Sequence, residues 1–97
     1  MSDTQTVWMV LWRRAGRSKN PRDPFEIDEV VPEIVEALKI PKPAAAKLVV
    51  ELMKELERLP DGKQFFRLEG NAIVPLPEYV KAPKDENSVL AAYPFEL

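Results

Sequence analysis

Residues 33–48, EIVEALKIPKPAAAKL, hold two stretches of helical spacing separated by two prolines. Proline cannot continue a helix but fits the first turn of one. Pro41 and Pro43 should therefore end one helix and begin the next. The linker between the two helices is expected to be short.

Both helices extend beyond this segment. Asp28 is a suitable N-cap for the first helix, which we expect to run to about Ile40, and the second is expected over residues 44–59. Apolar residues recur in both at steps of three and four, the pattern of a helix that buries one face. They are Val31, Ile34, Val35 and Leu38 in the first helix and Ala45, Leu48, Val49, Leu52, Met53, Leu56 and Leu59 in the second.

A β-hairpin is predicted after the second helix. Residues 64–68 and 72–76 flank Gly70-Asn71, a two-residue loop of the type that closes hairpins. The expected register pairs Phe66 with Pro75, Arg67 with Val74 and Leu68 with Ile73.

The N-terminal segment TVWMVLWR, residues 6–13, is β-branched and aromatic and is apolar on both alternating faces. This composition indicates a strand covered on both sides, although a short buried helix gives the same pattern. We interpret it as a strand that joins the hairpin in one sheet. Residues 15–24, AGRSKNPRDP, have the composition of a solvated loop.

The predicted fold class is α+β, in the order βααββ, with two antiparallel helices packed against a three-stranded antiparallel sheet. Residues 1–80 are assigned to this domain and residues 81–97 to a C-terminal tail. The tail begins with a polar, extended linker, KAPKDENS, and ends with an apolar segment, VLAAYPFEL. That apolar segment either returns to cover its own sheet, which we favour, or docks into a groove on another protein.

Residues 33–76 resemble a winged helix-turn-helix, in which two short-linked helices are followed by a hairpin. The apolar positions that hold the two helices together in that superfamily match Ile34, Leu38, Ile40, Ala45 and Leu48. Where the superfamily favours a glycine in the turn, this chain has Lys39, so Pro41 is expected to make the turn. The resemblance implies a winged-helix-like fold, with the second helix in the place of a recognition helix.

Composition limits the chemistry. The chain has 97 residues, 45% hydrophobic and 31% charged, as expected for one folded domain, and it contains no Cys and no His. Thiol nucleophiles, disulfides, Cys/His zinc sites and imidazole bases are therefore excluded. A site built from carboxylates alone remains chemically possible, but no pattern indicates one. We expect no enzymatic activity, no metal site and no small-molecule cofactor.

The longest apolar run near the N-terminus, residues 7–12, is too short to cross a bilayer and lacks the flanks of a signal peptide. We therefore expect no membrane contact and a cytoplasmic location.

Charge is unevenly distributed. The net charge is −2, yet residues 1–22 contain five basic residues and one acid, while the remainder contains nine basic and fifteen acidic residues. A polyanion would be attracted by the first segment and repelled by most of the body.

The sequence is compatible with two functions. The leading hypothesis is a non-enzymatic protein-interaction or adaptor module that uses Pro43, Ala46 and Val50 as a shallow apolar surface. The alternative is a winged-helix DNA-binding transcriptional regulator, since the resemblance places Lys42 and Lys47 at a major groove. None of the positions placed at the groove is an Arg, Asn or Gln that reads base edges bidentately, and the expected wing tip carries Glu69. The residues available to a polyanion are Arg13, Arg14, Arg17, Lys19, Arg22, Lys42 and Lys47.

Two further features have an ordinary structural interpretation. Trp8 and Trp12 could stack on single-stranded nucleic acid, but on an apolar segment of a small domain they are expected in the core. The basic side chains along the second helix are expected to form local ion pairs with Glu51 and Glu55 on a solvated face.

Overall fold

A computed structural model describes residues 1–95. The elements in chain order are α1 (Asp3–Gly16), β1 (Phe25–Glu26), α2 (Ile27–Leu38), α3 (Lys42–Glu57), β2 (Phe66–Glu69), β3 (Ala72–Pro75), α4 (Pro77–Lys81) and α5 (Glu86–Ala91). The three strands form one antiparallel sheet in the order β1-β3-β2. The α+β class is confirmed, and within residues 1–95 the sheet is accompanied by five helices rather than two.

The prediction of a strand over residues 6–13 is wrong, because this segment lies within α1. A capping box starts the helix: Gln5 N donates to Ser2 Oγ over 3.1 Å, and Ser2 N donates to Gln5 Oε1 over 2.8 Å. The six residues 7–12 are all buried. A helix enclosed on every side is apolar all round, and this pattern matches that of a strand covered on both faces.

The third strand of the sheet is therefore β1. It pairs with β3, with Phe25 opposite Ile73 and Glu26 opposite Ala72. The predicted order βααββ is found from β1 to β3, but its first strand is residues 25–26 rather than 6–13, and α1 precedes it while α4 and α5 follow it.

The α2 helix begins one residue before the predicted N-cap, Asp28, which instead lies in the first turn. Glu26 is the N-cap residue, and its backbone N–H donates to Glu29 Oε2 over 2.7 Å. This bond satisfies a donor near the helix start and fixes the side chain of Glu29 there.

Lys39 makes the turn between α2 and α3. Its backbone is left-handed, with φ 55° and ψ 46°, and its N–H donates to Val35 O over 2.9 Å. The expectation that Pro41 would make the turn is wrong, because Pro41 has extended backbone and serves as the N-cap residue of α3. Lys39 thus holds a conformation that favours glycine, at the position where the superfamily pattern has one.

The core-facing stripe of α3 is confirmed, with Ala45, Val49, Leu52, Met53 and Leu56 buried and Leu48 and Leu59 partly buried. The hairpin is confirmed in the predicted register. Gly70 has φ 61°, the positive value that this turn requires.

Aromatic rings join α1 to the hairpin and to α4. The Trp8 and Trp12 rings lie 5.5 and 5.7 Å from that of Phe65, and the ring of Tyr79 lies 4.8 Å from that of Trp12. Such tilted and edge-to-face contacts are the favoured geometries for aromatic pairs.

The segment 81–88 is not the extended linker that we predicted, because α4 includes Lys81 and α5 begins at Glu86. Asp85 caps α5 and accepts hydrogen bonds from the backbone N and the Oγ of Ser88, at 3.1 and 2.7 Å.

The apolar segment that follows packs on its own domain as far as residue 95. Trp8 Nε1 donates to Val89 O over 2.9 Å, and the Tyr93 ring lies 5.9 Å from the Trp8 ring. Residues 96–97 of the predicted tail lie outside the described residues. Within residues 1–95, no helix combines the length and the apolar composition needed to span a membrane.

We predict that Leu52→Ala lowers the free energy of unfolding by roughly 2 to 5 kcal/mol, because the side chain is 2% exposed and its loss leaves a cavity. Leu48→Ala, at a partly buried position of the same helix, should have a smaller effect. Urea denaturation measures both. Equal midpoints for wild type and Leu52→Ala would contradict this packing.

Lys39→Gly is expected to raise the free energy of unfolding by roughly 0.5 to 1 kcal/mol. The gain comes from removing the left-handed penalty of a residue with Cβ, offset in part by the greater chain entropy of glycine. Lys39→Ala is the control, since it also removes the exposed ion pair with Glu36 but keeps the Cβ. Thermal melts that show equal or lower stability for Lys39→Gly than for Lys39→Ala would refute the prediction.

Candidate partner-binding surface

Pro43, Ala46 and Val50 lie at steps of three and four along α3 and form what we call the α3 strip. Pro43 is exposed, whereas Ala46 and Val50 are partly buried and also pack against the core. The predicted partner-binding residues therefore share one side of a helix. The side chains of Ala46 and Val50 lie partly against the core and are partly exposed to solvent.

Charged side chains accompany the strip along α3. Lys47 Nζ lies 3.9 Å from Glu51 Oε1, and Arg58 Nη1 lies 3.2 Å from Glu55 Oε1. All four side chains are more than half exposed, so these pairs contribute little to stability. This is the solvated face with local ion pairs that the sequence indicated.

Three of the arginines in the basic N-terminal segment face the acidic side of α2. Arg13 Nη2 lies 2.8 Å from Glu33 Oε2, Arg17 Nη2 lies 2.9 Å from Glu33 Oε1, and Arg14 Nη2 lies 2.7 Å from Glu29 Oε1. This pairing follows from the helical structure of α1, which carries positions 13, 14 and 17 alongside α2. Much of the positive charge of this segment is thus balanced within the domain.

Lys19 and Arg22 lie in the exposed loop between α1 and β1. Together with Lys42, at the start of α3, they form no ion pair with any residue in the described range 1–95. These three cations of the predicted polyanion set remain available, and Lys47 is held only by its long, exposed pair with Glu51.

The arginines face the carboxyl groups of Glu29 and Glu33, and the pKa values of both are lowered. Burial alone would raise the pKa of Glu33, but hydrogen bonds from Arg17 and Arg13 lower this pKa overall. The pKa of Glu29 is lowered first by the hydrogen bond from the backbone of Glu26 and then by Arg14. Both carboxylates therefore stay ionised at neutral pH and tie α1 to α2.

Trp8 and Trp12 belong to the core, as expected, with exposed fractions of 0% and 4%. Neither offers an open ring face for a nucleic-acid base.

Sequence reasoning missed a cleft of about 470 Å³ between α1, α4 and α5. Its walls include Met9, Trp12 and Gly16 of α1, Tyr79 of α4 and Val89 of α5. The three α1 residues recur at steps of three and four, a signal that the strand interpretation of this segment concealed. No group of three or more acidic side chains within residues 1–95 is placed to hold a metal ion.

Comparisons with family models, with curated proteins and with solved structures found no match to this chain.

We predict that Glu33→Gln lowers the free energy of unfolding at neutral pH by roughly 0.5 to 1 kcal/mol, the range for solvent-accessible ion pairs. Because the folded-state pKa is depressed, this stabilisation is complete above the unfolded pKa of about 4.5 and is lost as the pH falls through the folded value. The free energies of unfolding of wild type and Glu33→Gln should therefore become equal at acid pH.

Urea denaturation between about pH 7 and pH 3, a range that spans the ordinary titration of Glu, measures this convergence. Glu36→Gln serves as the control because Glu36 is 83% exposed and, among residues 1–95, pairs only with Lys39. If Glu33→Gln remains less stable than wild type by the same amount in acid, the loss of stability comes from packing rather than from charge.

Proposed function

We propose that this chain is a non-enzymatic protein-interaction module of winged-helix-like architecture, and that the α3 strip is its partner-binding surface. The observation that carries the proposal is the contrast between two surfaces. The strip keeps apolar side chains partly open to solvent, whereas Arg13, Arg14 and Arg17 are paired with acids of α2. The exposed surface therefore suits contact with an apolar partner better than contact with phosphate groups.

The winged-helix-like part of the proposal rests on the order and spacing of the elements. Three residues, 39–41, separate α2 from α3, and the β2–β3 hairpin follows, as a wing follows a recognition helix. The left-handed backbone of Lys39 supplies the sharp turn that the superfamily obtains from glycine. A cytoplasmic location remains part of the proposal.

The composition of the strip suits an interface centre. Interface cores are depleted in charged residues, and binding energy concentrates where apolar side chains lose water. On the strip, Pro43 adds a rigid ring with no backbone donor, and Ala46 and Val50 add aliphatic surface. A partner with a complementary apolar helix or loop would cover these groups without leaving polar atoms unpaired.

DNA binding is the second candidate. It is favoured by the exposed lysines of α3, Lys42 and Lys47, and by Lys19 and Arg22 in the loop. A protein that binds duplex DNA through such contacts loses affinity steeply as salt rises, because phosphate contacts release counterions.

We predict that Val50→Asp abolishes capture of the protein partner while the domain stays folded, because a charge would lie in the centre of an apolar contact. Val50 is partly exposed, so the new carboxylate can reach water in the free protein. The measurement is affinity purification with tagged wild type and variant, accompanied by a thermal melt of each.

Two controls accompany this variant. Val50→Thr keeps the branched shape and should retain the partner, and Ala44→Asp adds the same charge six residues earlier, away from the strip. Duplex DNA is titrated in parallel at about 150 mM salt, the physiological ionic strength. Equal capture of the partner by wild type and Val50→Asp would refute the assignment of the α3 strip as the partner-binding surface. Tight, sequence-selective DNA binding that Lys47→Glu weakens would favour a DNA-binding regulator.

A further inference from the structure

We propose that two copies of this chain associate through the edge of the sheet, with β2 of one copy pairing antiparallel to β2 of the other. The interface is centred on Leu68, and Arg67 of each copy lies opposite Glu69 of the other. This edge shares no residue with the α3 strip, and its use does not rest on the function proposed for that strip.

The open edge of the sheet is β2. Both β1 and β2 are outer strands, since β3 lies between them. The β1 strand has only two residues and continues directly into α2, so it offers almost no backbone to a further strand. The β2 strand has four residues and, within residues 1–95, pairs only with β3. It is therefore the strand at which the sheet can be extended.

The backbone of Leu68 is directed away from the sheet. Ile27 N donates to Asn71 O over 3.0 Å, which makes these two a hydrogen-bonded pair beside β1. Because such pairs recur at every second position of an antiparallel ladder, the next one is Phe25 with Ile73. The N–H and C=O of Ile73 thus face β1, and those of Leu68, opposite Ile73 in β2, lie on the outer side. No turn, loop or side-chain hydrogen bond within residues 1–95 uses either group.

A groove runs along this edge, between α3 and β2. Its volume is about 230 Å³, and its walls include Met53, Lys54 and Glu57 of α3 and Arg67 and Leu68 of β2. The space beside the strand is therefore open, and a strand of a second copy can approach the outer backbone groups of Leu68 there. Adding a strand to an exposed sheet edge is a common mode of protein recognition, because the main-chain hydrogen bonds are already aligned.

The charges of β2 select one register for this pairing. Hydrogen-bonded pairs with a second strand need outward-directed backbone, which in β2 belongs to Phe66 and Leu68. Phe66 N already donates to Gln64 O over 2.7 Å, so Leu68 offers both a donor and an acceptor. Pairing Leu68 with Leu68 of the second copy places Arg67 opposite Glu69, twice by symmetry. The shifted register, Phe66 with Leu68, places Arg67 opposite Arg67 and is disfavoured.

Arg67 and Glu69 are positioned for this contact. Both side chains lie on the solvent side of β2, where Arg67 Nη2 is 2.8 Å from Glu69 Oε2, and both are more than half exposed. In the selected register they occupy non-hydrogen-bonded positions, at which side chains on opposing strands are closest. Opposite charges at directly opposed positions stabilise strand pairing. Each arginine can therefore reach the glutamate of the second copy without a change in the fold.

The other face of β2 supplies an apolar centre. Leu68 is partly buried and packs against the core, and at the two-fold axis the Leu68 side chains of the two copies meet. Lys54 and Glu57 flank the groove with opposite charges, as do Arg67 and Glu69, so the surface carries no net charge. A second identical copy meets no net repulsion here, whereas a strongly charged peptide gains no attraction. The charge balance therefore favours another copy of this chain as the occupant.

Sedimentation velocity at about 150 mM salt, the physiological ionic strength, measures the association of the full chain. We expect the weight-average mass to rise from that of one chain toward that of two between about 10 µM and 1 mM, because a single short strand pair is a small, weak interface.

Amide hydrogen exchange, followed by NMR over the same concentrations, locates the contact. The Leu68 amide should exchange more slowly as the chains associate, since it becomes hydrogen-bonded to the second copy. The Arg67 amide is the internal control, because it faces Val74 of β3 and is protected at every concentration.

Exchanging charges tests the register. Arg67→Glu and Glu69→Arg should each weaken self-association by about tenfold or more, because like charges then oppose each other at both pairs. An equimolar mixture of the two variants should associate again, as should the double variant, which restores opposite charges at both pairs. Arg22→Glu changes the net charge as Arg67→Glu does, at an exposed loop position, and should leave association unaltered. Thermal melts establish that each variant is folded.

The proposal is overturned if the wild type keeps the mass of one chain across this concentration range. It is also overturned if neither the mixture nor the double variant restores association, or if Arg22→Glu weakens association as much as Arg67→Glu. Association that leaves the exchange of the Leu68 amide unchanged would place the contact on another surface and would equally refute the pairing through β2.

Discussion

The enclosure of α1 is the constraint on which the rest of the structure depends. Residues 7–12 are buried without interruption, so this helix needs apolar cover on all of its sides rather than along one stripe. The cover comes from α2 and α3, from the aromatic residues at the start of β2 and from α5. A domain of this length has few helices and strands, and most of them contact α1.

The enclosure of α1 also determines where the arginines at its C-terminal end lie. Once the apolar part of the helix is surrounded, Arg13, Arg14 and Arg17 emerge beside α2, where Glu29 and Glu33 are placed to meet them. The basic segment and the acidic helix face, which look like opposing surfaces in the sequence, are therefore partners. Two arginines against Glu33 leave an excess of charge on the side that opens to the cleft.

The parts of the fold that could be predicted are those with local signals. The proline at position 41, the core-facing apolar spacing of α3 and the Gly70-Asn71 turn are each signals over a few residues. The existence of α3 and the register of the hairpin were therefore predictable. The structure of α1 was not, because burial on all sides removes the periodicity that distinguishes helix from strand. The two-residue β1 depends on a partner, Ile73, that is distant in sequence. The cleft joins residues from 9 to 89, and its one local signal, the spacing of Met9, Trp12 and Gly16, becomes visible only once α1 is known to be a helix.

The return of apolar sequence after the polar segment 81–88 also follows from the enclosure of α1. Trp8 is fully buried, yet its indole N–H requires an acceptor, and the carbonyl of Val89 provides one at 2.9 Å. Val89 and Tyr93 then close the side of α1 that the sheet and the longer helices leave open. Because α5 is short, it covers Trp8 but leaves the Gly16 end of α1 uncovered, and the cleft is the space that remains there. The same helix therefore completes the core and forms one wall of the cleft.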